Sequence, residues 1–343
     1  MDFSERYTRQ ILFPGIGPGG QAALARSRMV VIGCGGLGSA HLETLVRAGA
    51  GHIRLIDRDF VEESNLQRQA MYIERDAAQR VPKAIAAAEH LGQINSQTCL
   101  EPIVIDVNYE NVEELISGAD VVLDGTDNFE ARFLINDACI KKGIPWIYGA
   151  AVGSYGLTMT IVPGETPCLR CVFEEMPQPG TGPTCDTAGI IMPILSMISA
   201  IQTTEAIKLA VGRRGELHGS LIRVDAWDFE IACIDITKLK GTTDCPACCR
   251  LDYEYLRGAG RQVTTTLCGR NAVQISKAGS TEIDIQRLAE RLEPLGEVHY
   301  NDFLLRFLID GYEMTVFRDA RSIVKGTSDA SVARGLYSRF IGD

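Results

Sequence analysis

Apolar and polar positions along the first 165 residues follow two periods in turn. Short apolar runs predict strands at 29–33, 53–57, 99–105, 120–125 and 145–149. Segments with apolar residues every third or fourth position predict helices at 19–26, 37–49, 80–93, 109–118 and 129–142. Strands alternating with helices predict an α/β fold: a doubly wound, mostly parallel sheet with a crevice at its carboxyl edge. Residues 174–187 interrupt the periodicity with a Pro/Gly-rich loop, a candidate mobile segment over an active site. A helix at 188–211 and a β-rich stretch to about 240 follow. Residues 241–262 read as a hinge. Beyond it lie a strand near 264–275, a helix near 283–293, strands through 297–325 and a helix near 330–341. The expectation is a first domain over 1–250 and a small α+β accessory module over 263–343.

Composition narrows the function classes. The 343-residue chain carries a formal charge of −10, so no basic excess is available for nucleic acid. The most apolar stretch, 188–201, is too short to span a bilayer and contains Pro193, so it reads as a buried helix. The polar start, Met1 to Arg6, is unlike a signal peptide, and the chain is expected to be cytoplasmic. Eleven cysteines without a secretory signal point to thiol or metal chemistry rather than disulfides. Cys34, Cys99, Cys139 and Cys233 sit in apolar surroundings and read as small core residues.

The candidate chemistry starts at the first strand. Met29 to Ile32 runs into Gly33-Cys34-Gly35-Gly36-Leu37-Gly38, a glycine turn that opens a helix, and the second strand ends at Asp57-Arg58-Asp59. This is the layout of a Rossmann-like nucleotide-binding unit, with phosphate on the helix N-terminus and the acid on a ribose. By itself it also fits an NAD-dependent oxidoreductase. Asn65-Leu66-Gln67-Arg68-Gln69 follows at once and supplies a cation suited to phosphate oxygens. Asp57 reads as the ribose ligand, while Asp59 serves equally well as a turn residue. Arg68 alone is a common surface arginine, and Lys83, just after Pro82, is either a solvated helix lysine or part of an anion clamp. Asp127 in Thr126-Asp127-Asn128 either holds Mg²⁺ on a triphosphate or closes an Asx turn.

Cys168-x-x-Cys171 and Cys245-x-x-Cys248 form two knuckles suited to a closed tetrahedral Zn²⁺ site, with a redox pair as the competing reading. Cys249 leaves the fourth ligand ambiguous. Cys185, inside the flexible loop, is either inert or a nucleophile, since the adjacent Asp186 opposes a depressed pKa.

Taken together, Arg6 to Gln10, the glycine turn, Asp57 and Asp59, Asn65 to Gln69, Lys83, Thr126 to Asn128 and both cysteine pairs resemble the ThiF/MoeB/HesA family over residues 5–250. These are bacterial relatives of ubiquitin-activating enzymes. The resemblance implies an adenylyltransferase that uses Mg-ATP on the C-terminal glycine carboxylate of a ubiquitin-like sulfur carrier and releases pyrophosphate. It also implies a homodimer with one structural zinc per subunit and a sulfur donor protein as a further partner. Carried over, Gly36 lies against the nucleotide and Asp57 binds the ribose, with Asp59 beside it. Asn65, Arg68 and Lys83 hold the phosphates, Ser64 is a further nucleotide-binding residue, and Asp127 places Mg²⁺ with Asn128 beside it. Arg9 reaches the partner subunit's ATP, and Cys185 can bond covalently to the carrier.

Thiazole (thiamine), molybdopterin and tRNA-thiolation branches use closely similar activators, with a slight preference here for a ThiF-like one. Some longer relatives end in a sulfur-delivering rhodanese. Here Cys268 is the only cysteine after Cys249 and lacks the loop that such a module requires, so the end of the chain reads as an accessory module for docking.

Overall fold

The computed structural model describes residues 5–176, 188–240, 244–258, 264–267 (backbone only), 271–275 and 283–341. Cys185 and Cys268 lie outside them. The chain divides into two compact units, Met1–Thr181 with Gly189–Ala259, and Gly182–Ala188 with Gly260–Asp343.

The first unit is built on one eight-stranded sheet. Its strands are β1 (Arg28–Ile32), β2 (His52–Ile56), β3 (Cys99–Ile103), β4 (Val121–Asp124), β5 (Trp146–Val152), β6 (Tyr155–Ile161), β7 (Ser220–Asp225) and β8 (Glu230–Asp235). They lie in the order β3-β2-β1-β4-β5-β6-β7-β8. The first five are parallel and the last three antiparallel. The β-rich stretch up to residue 240 is therefore no separate layer but the far edge of the same sheet.

Helices cover both faces, which is why β1 is apolar at every position after Arg28. Met29 and Val31 pack with Leu42 and Leu45 of helix α3 (Gly36–Ala48). Val30 and Ile32 face the opposite way, toward Phe133 and Trp146. Two short N-terminal helices, α1 (Thr8–Ile11) and α2 (Gly17–Leu24), precede the sheet. After β2 come α4 (Glu74–Ala78), α5 (Lys83–Ile94), α6 (Val112–Leu115), α7 (Phe129–Lys142), α8 (Leu169–Val172) and α9 (Met192–Ala210). Helix α9 packs on α3, β5 and β6 through Ile194, Leu195, Ile198, Gln202 and Ala206. Met192, Ser196, Ala200 and Thr204 stay exposed, so the helix expected to be buried is covered on one face only.

Several boundaries differ from expectation for local reasons. The helix expected at 80–93 begins at Lys83, because Pro82 is extended and forms its N-cap. The helix at 109–118 contracts to the single turn of α6, ahead of Gly118 at φ +74°. The helix at 188–211 starts at Met192, with Pro193 in its first turn. β6 was not expected. Its buried Thr158 and Thr160 disguise an interior strand and are satisfied by the Tyr148 carbonyl (2.7 Å) and Glu205 (3.0 Å). Cys34 and Cys139 are core residues as expected. Cys99 and Cys233 are exposed, because each lies on an edge strand of the sheet, β3 or β8. Among the described residues no helix is long and apolar enough to cross a membrane.

Among the described residues, the second unit holds a six-stranded antiparallel sheet and two helices. Its strands are β9 (Thr264–Leu267), β10 (Ala272–Ile275), β11 (Glu297–Tyr300), β12 (Leu304–Ile309), β13 (Tyr312–Phe317) and β14 (Ser322–Lys325). They lie in the order β11-β12-β13-β14-β10-β9. The single strand expected at 264–275 is instead a β9–β10 hairpin that pairs Ala272 with Leu267. Asn271, at φ +44°, sits at the re-entry to β10, a conformation asparagine tolerates. Helix α10 (Ile285–Leu292) buries Ile285, Leu288, Ala289 and Leu292, one stripe at helical spacing. It is capped by Asp284, and α11 (Ala330–Phe340) is capped by Asp329.

Candidate active site and metal centre

The strand order reverses between β1 and β4, so the crevice beyond their carboxyl ends is where an open α/β sheet binds its ligand. The glycine turn stands at one lip. Gly33 has φ +90°, and a Cβ on it would lie 2.5 Å from the Gly125 carbonyl oxygen. A Cβ on Gly38 would overlap the Gly33 carbonyl. These two glycines let the turn close tightly against the end of β4. Gly36 is needed for another reason: its bare face is filled by Leu195 of α9, where a Cβ would come within 2.6 Å. What the turn presents to the crevice is the amino end of α3, with the free N–H groups of a helix's first turn.

Asp57, at the end of β2, is buried beside this turn. Its two oxygens accept hydrogen bonds from the backbone N–H groups of Cys34 and Asp59, each at 2.7 Å. Burial raises the Asp57 pKa, while Lys83 and the two N–H groups pull it back. Lys83 opens α5, is itself buried, and lies 3.4 Å from Asp59. The Lys83 backbone N–H also donates to the Asp59 carbonyl at 2.8 Å. Tyr72 ties the cluster together, its hydroxyl donating to the Cys34 carbonyl at 2.7 Å. Arg58 is half-buried beside Asp59. Burial works against its charge, but Asp106, Asp59 and Asp127 outweigh that effect and hold it charged.

Asn65 and Arg68 lie on the next turn of chain. Buried Asn65 closes a short 3₁₀ turn by accepting from the Glu62 N–H at 3.0 Å. Arg68 donates to the Ser64 carbonyl at 2.8 Å. The Asx turn weighed for Asp127 belongs instead to Asp124. The Asp124 carboxylate accepts from the Thr126 N–H (2.9 Å) and hydroxyl (2.7 Å), and is paired with Arg132 of α7 at 3.3 Å. Asn128 caps α7, accepting from the Ala131 N–H at 2.9 Å. Asp127 is left exposed at the crevice with Asn128 as its one hydrogen-bond partner among the described residues. The Arg58 charge acts on this carboxylate, which is otherwise open to a cation from solvent.

Arg9 is not in this group. Its helix α1 is fastened beside the far end of α3: Gln10 donates to the Ala48 carbonyl at 2.8 Å, and Tyr7 packs on Gly49. A 13-residue helix rises about 20 Å, so Arg9 stands at the opposite end of α3 from the glycine turn. The side chain is exposed, with no hydrogen bond or ion pair among the described residues.

Arg132 and Gln202 carry no signal in the sequence, and Gln69, though part of the 65–69 motif, has no role of its own there. Arg132 carries the Thr126 loop, donating to the Thr126 carbonyl at 2.7 Å and stacking on Phe129 and Tyr148. Gln202 of α9 donates to the carbonyls of Asp124 and Ile147, both at 3.1 Å, and its oxygen lies 2.8 Å from His41. Gln69 faces the glycine turn. Only the long-range position of an arginine or amide opposite a strand end marks such residues, and that is invisible in one chain.

The two cysteine knuckles do meet. The Sγ atoms of Cys168, Cys171, Cys245 and Cys248 all lie within 4.8 Å of one another. Three of the separations are 3.8, 3.5 and 3.4 Å. Four thiolates at about 2.3 Å from a tetrahedral zinc stand about 3.8 Å apart, so the set fits that ion. Cys248 is the fourth member of the group. Cys249, 3.9 Å from Cys248, lies outside it and is exposed.

A nucleotide-type crevice at the switch point of an α/β sheet, with a four-thiol centre in the same unit, defines an α/β nucleotide-binding protein with a candidate metal site. The match of residues 7–247 to the model of the ThiF family makes the assignment specific: the chain belongs to that family. It is 45% identical over 338 residues to the sulfur carrier protein ThiS adenylyltransferase of Bacillus subtilis, covering 98% of this chain and 99% of that one. A sulfur carrier protein adenylyltransferase of Thermus thermophilus is 34% identical over 249 residues, 71% of this chain and 90% of its own. Among solved structures, Escherichia coli MccB with a MccA peptide superposes with a TM-score of 0.63 at 23% identity. That likeness covers 71% of this chain and 75% of MccB, and is one of fold.

Proposed function

We propose that this protein adenylates the C-terminal glycine carboxylate of a ubiquitin-like sulfur carrier with ATP and releases pyrophosphate. The observation that carries the reading is the crevice itself. An acid suited to ribose, a helix N-terminus, two cations and an exposed carboxylate stand around one sheet edge in a chain of the ThiF family. In this reading Asp57 binds the ribose, with Asp59 holding Lys83 in place. Gly36, Ser64, Asn65, Arg68 and Lys83 hold the phosphates. Asp127, with Asn128 beside it, holds Mg²⁺, which when bound neutralises phosphate charge.

The chemistry asked of these residues is electrostatic. The attacking carboxylate is ionised at neutral pH, so no general base is required. Its obstacle is the negative charge of the α-phosphate. Arg68, Lys83 and the α3 amino end lower that charge and stabilise the departing pyrophosphate, while the fixed crevice holds the reactants in line. Arg9 serves the partner subunit of a homodimer. Its place at the far end of α3 supports this, because it cannot serve its own crevice. The four thiols hold a structural Zn²⁺ that joins residues 245–248 to α8. Cys185, outside the described residues, is retained as a candidate for a covalent link to the carrier, and 263–343 as a docking module.

The carrier we favour is ThiS-like, for sulfur transfer to thiazole. In support, the Bacillus relative aligns with essentially the whole chain, second unit included, while the Thermus relative matches 71% of it. A MoaD-like carrier is the second reading. The test is Asp127→Ala. Carrier-dependent exchange of pyrophosphate into ATP is lost while the melting temperature holds, and retained exchange would remove Asp127 from the site.

A further inference from the structure

The glycine turn has one neighbour that the reading above leaves unused. A Cβ on Gly35 would point into open space and meet a single group, the side-chain nitrogen of Gln69 at 3.7 Å. Gln69 is 3% exposed, and its amide oxygen is fully buried without a hydrogen-bond partner. Its backbone is well fixed, with its N–H on the Asn65 carbonyl (2.9 Å) and its carbonyl accepting from Tyr72 (3.2 Å). The side chain is thus held beside the N-cap of a 13-residue helix, its amide oxygen without a hydrogen-bond partner among the described residues and its nitrogen turned toward Gly35.

A buried, unsatisfied amide costs stability, and an apolar side chain of the same size would remove that cost. The orphaned oxygen is fully buried and can only accept, so it is the N–H₂ group, on the side of open Gly35, that is left to meet a ligand. At the positive end of a helix that ligand is an anion, to which an amide nitrogen donates.

We propose that the Gln69 amide donates a hydrogen bond to a phosphate oxygen of the bound nucleotide at the amino end of α3. This rests on the nucleotide reading of the crevice and adds a binding residue to it. Gln69 has the direction, through its nitrogen next to open Gly35, and the fixed backbone that a preorganised donor needs. Unlike Arg68 and Lys83, it contributes no charge. Its role is therefore to fix the position of the phosphate rather than to attract it.

The test uses the full chain with Mg-ATP and with adenosine, which carries no phosphate. Gln69→Met keeps the volume and removes the amide; Gln69→Glu keeps the shape and puts a negative charge toward the anion. Melting temperature is read without ligand, and affinity by titration calorimetry. Gln69→Met is expected to melt at or above the wild-type temperature yet bind ATP about tenfold more weakly. Gln69→Glu is expected to bind ATP more weakly still, and adenosine binding is expected to be unchanged in both.

A merely structural glutamine would give the reverse, a lower melting temperature with ATP affinity intact, and that result overturns the proposal. Equal weakening of adenosine and ATP also overturns it, because the contact would then be to the nucleoside. Should the wild type bind no ATP, the nucleotide reading falls first and the proposal with it. Wild-type binding matched by both variants refutes the proposal alone.

Discussion

Replacing Arg132 by methionine tests how the end of β4 is held at the crevice. The Arg132 side chain is 7% exposed, its guanidinium lies 3.3 Å from the fully buried Asp124 carboxylate, and it donates to the Thr126 carbonyl at 2.7 Å. Methionine keeps the stem and removes the charge, leaving Asp124 buried with two hydrogen bonds from Thr126 and a long one from Gly149. Breaking a buried pair in this way costs about 3–5 kcal/mol. For a unit of this size that is roughly 6–20 °C in melting temperature.

The cost depends on pH with a definite sign. Burial raises the Asp124 pKa above its ordinary 3.8, and Arg132 opposes that rise. A raised carboxyl contributes its full stability below the unfolded value and loses it as pH rises through the folded one. Without Arg132 the folded value moves higher. The variant's deficit is therefore smaller at pH 5 than at pH 8. Both tryptophans, buried Trp146 and exposed Trp227, belong to the first unit, so fluorescence follows this transition. Adding Asp124→Asn to Arg132→Met recovers most of the loss. A deficit under about 1 kcal/mol, the value of an exposed pair, or an equal deficit at both pH values, refutes the reasoning.

Two further outcomes are expected. His41 is fully buried, and burial lowers its pKa to about 4 against the pull of its Gln202 hydrogen bond. A depressed pKa means stability is lost as pH falls from about 6.5 toward 4, by about 3 kcal/mol in all, and His41→Gln should flatten that slope in denaturant titrations. The purified chain should carry a single zinc by elemental analysis, and Cys171→Ser or a strong chelator should remove it and lower the melting temperature. Cys249→Ser should leave zinc content unchanged.

What was legible in the sequence was what local chemistry dictates. Met29 to Gly38 announces strand, turn and helix, because a continuous apolar run and a glycine series have few other uses. The cysteine knuckles were legible because four sulfurs at paired spacing have few competing purposes. Asp124 and Asp127 were harder to tell apart. Each is a turn former, and only the position of Arg132 opposite Asp124 decides which acid is spent on structure and which remains free. β6 was hidden because its buried threonines find their partners only in the fold, Thr158 on the neighbouring strand β5 and Thr160 on the more distant α9. Cys99 and Cys233 looked like core residues because neighbouring side chains are apolar, whereas sheet order puts both on edges. Gln69 lay within a motif already singled out, yet its orphaned amide is a property of the fold alone.

The central claim is that the crevice activates a protein carboxylate with ATP. Its most direct test is exchange of labelled pyrophosphate into ATP, measured with the wild-type chain and purified ubiquitin-like carriers. The account predicts exchange that requires a ThiS-like carrier with an intact C-terminal glycine and stops when that glycine is removed. A chain that binds ATP but catalyses no exchange with any such carrier, or that is stabilised by NAD and not by Mg-ATP, contradicts it.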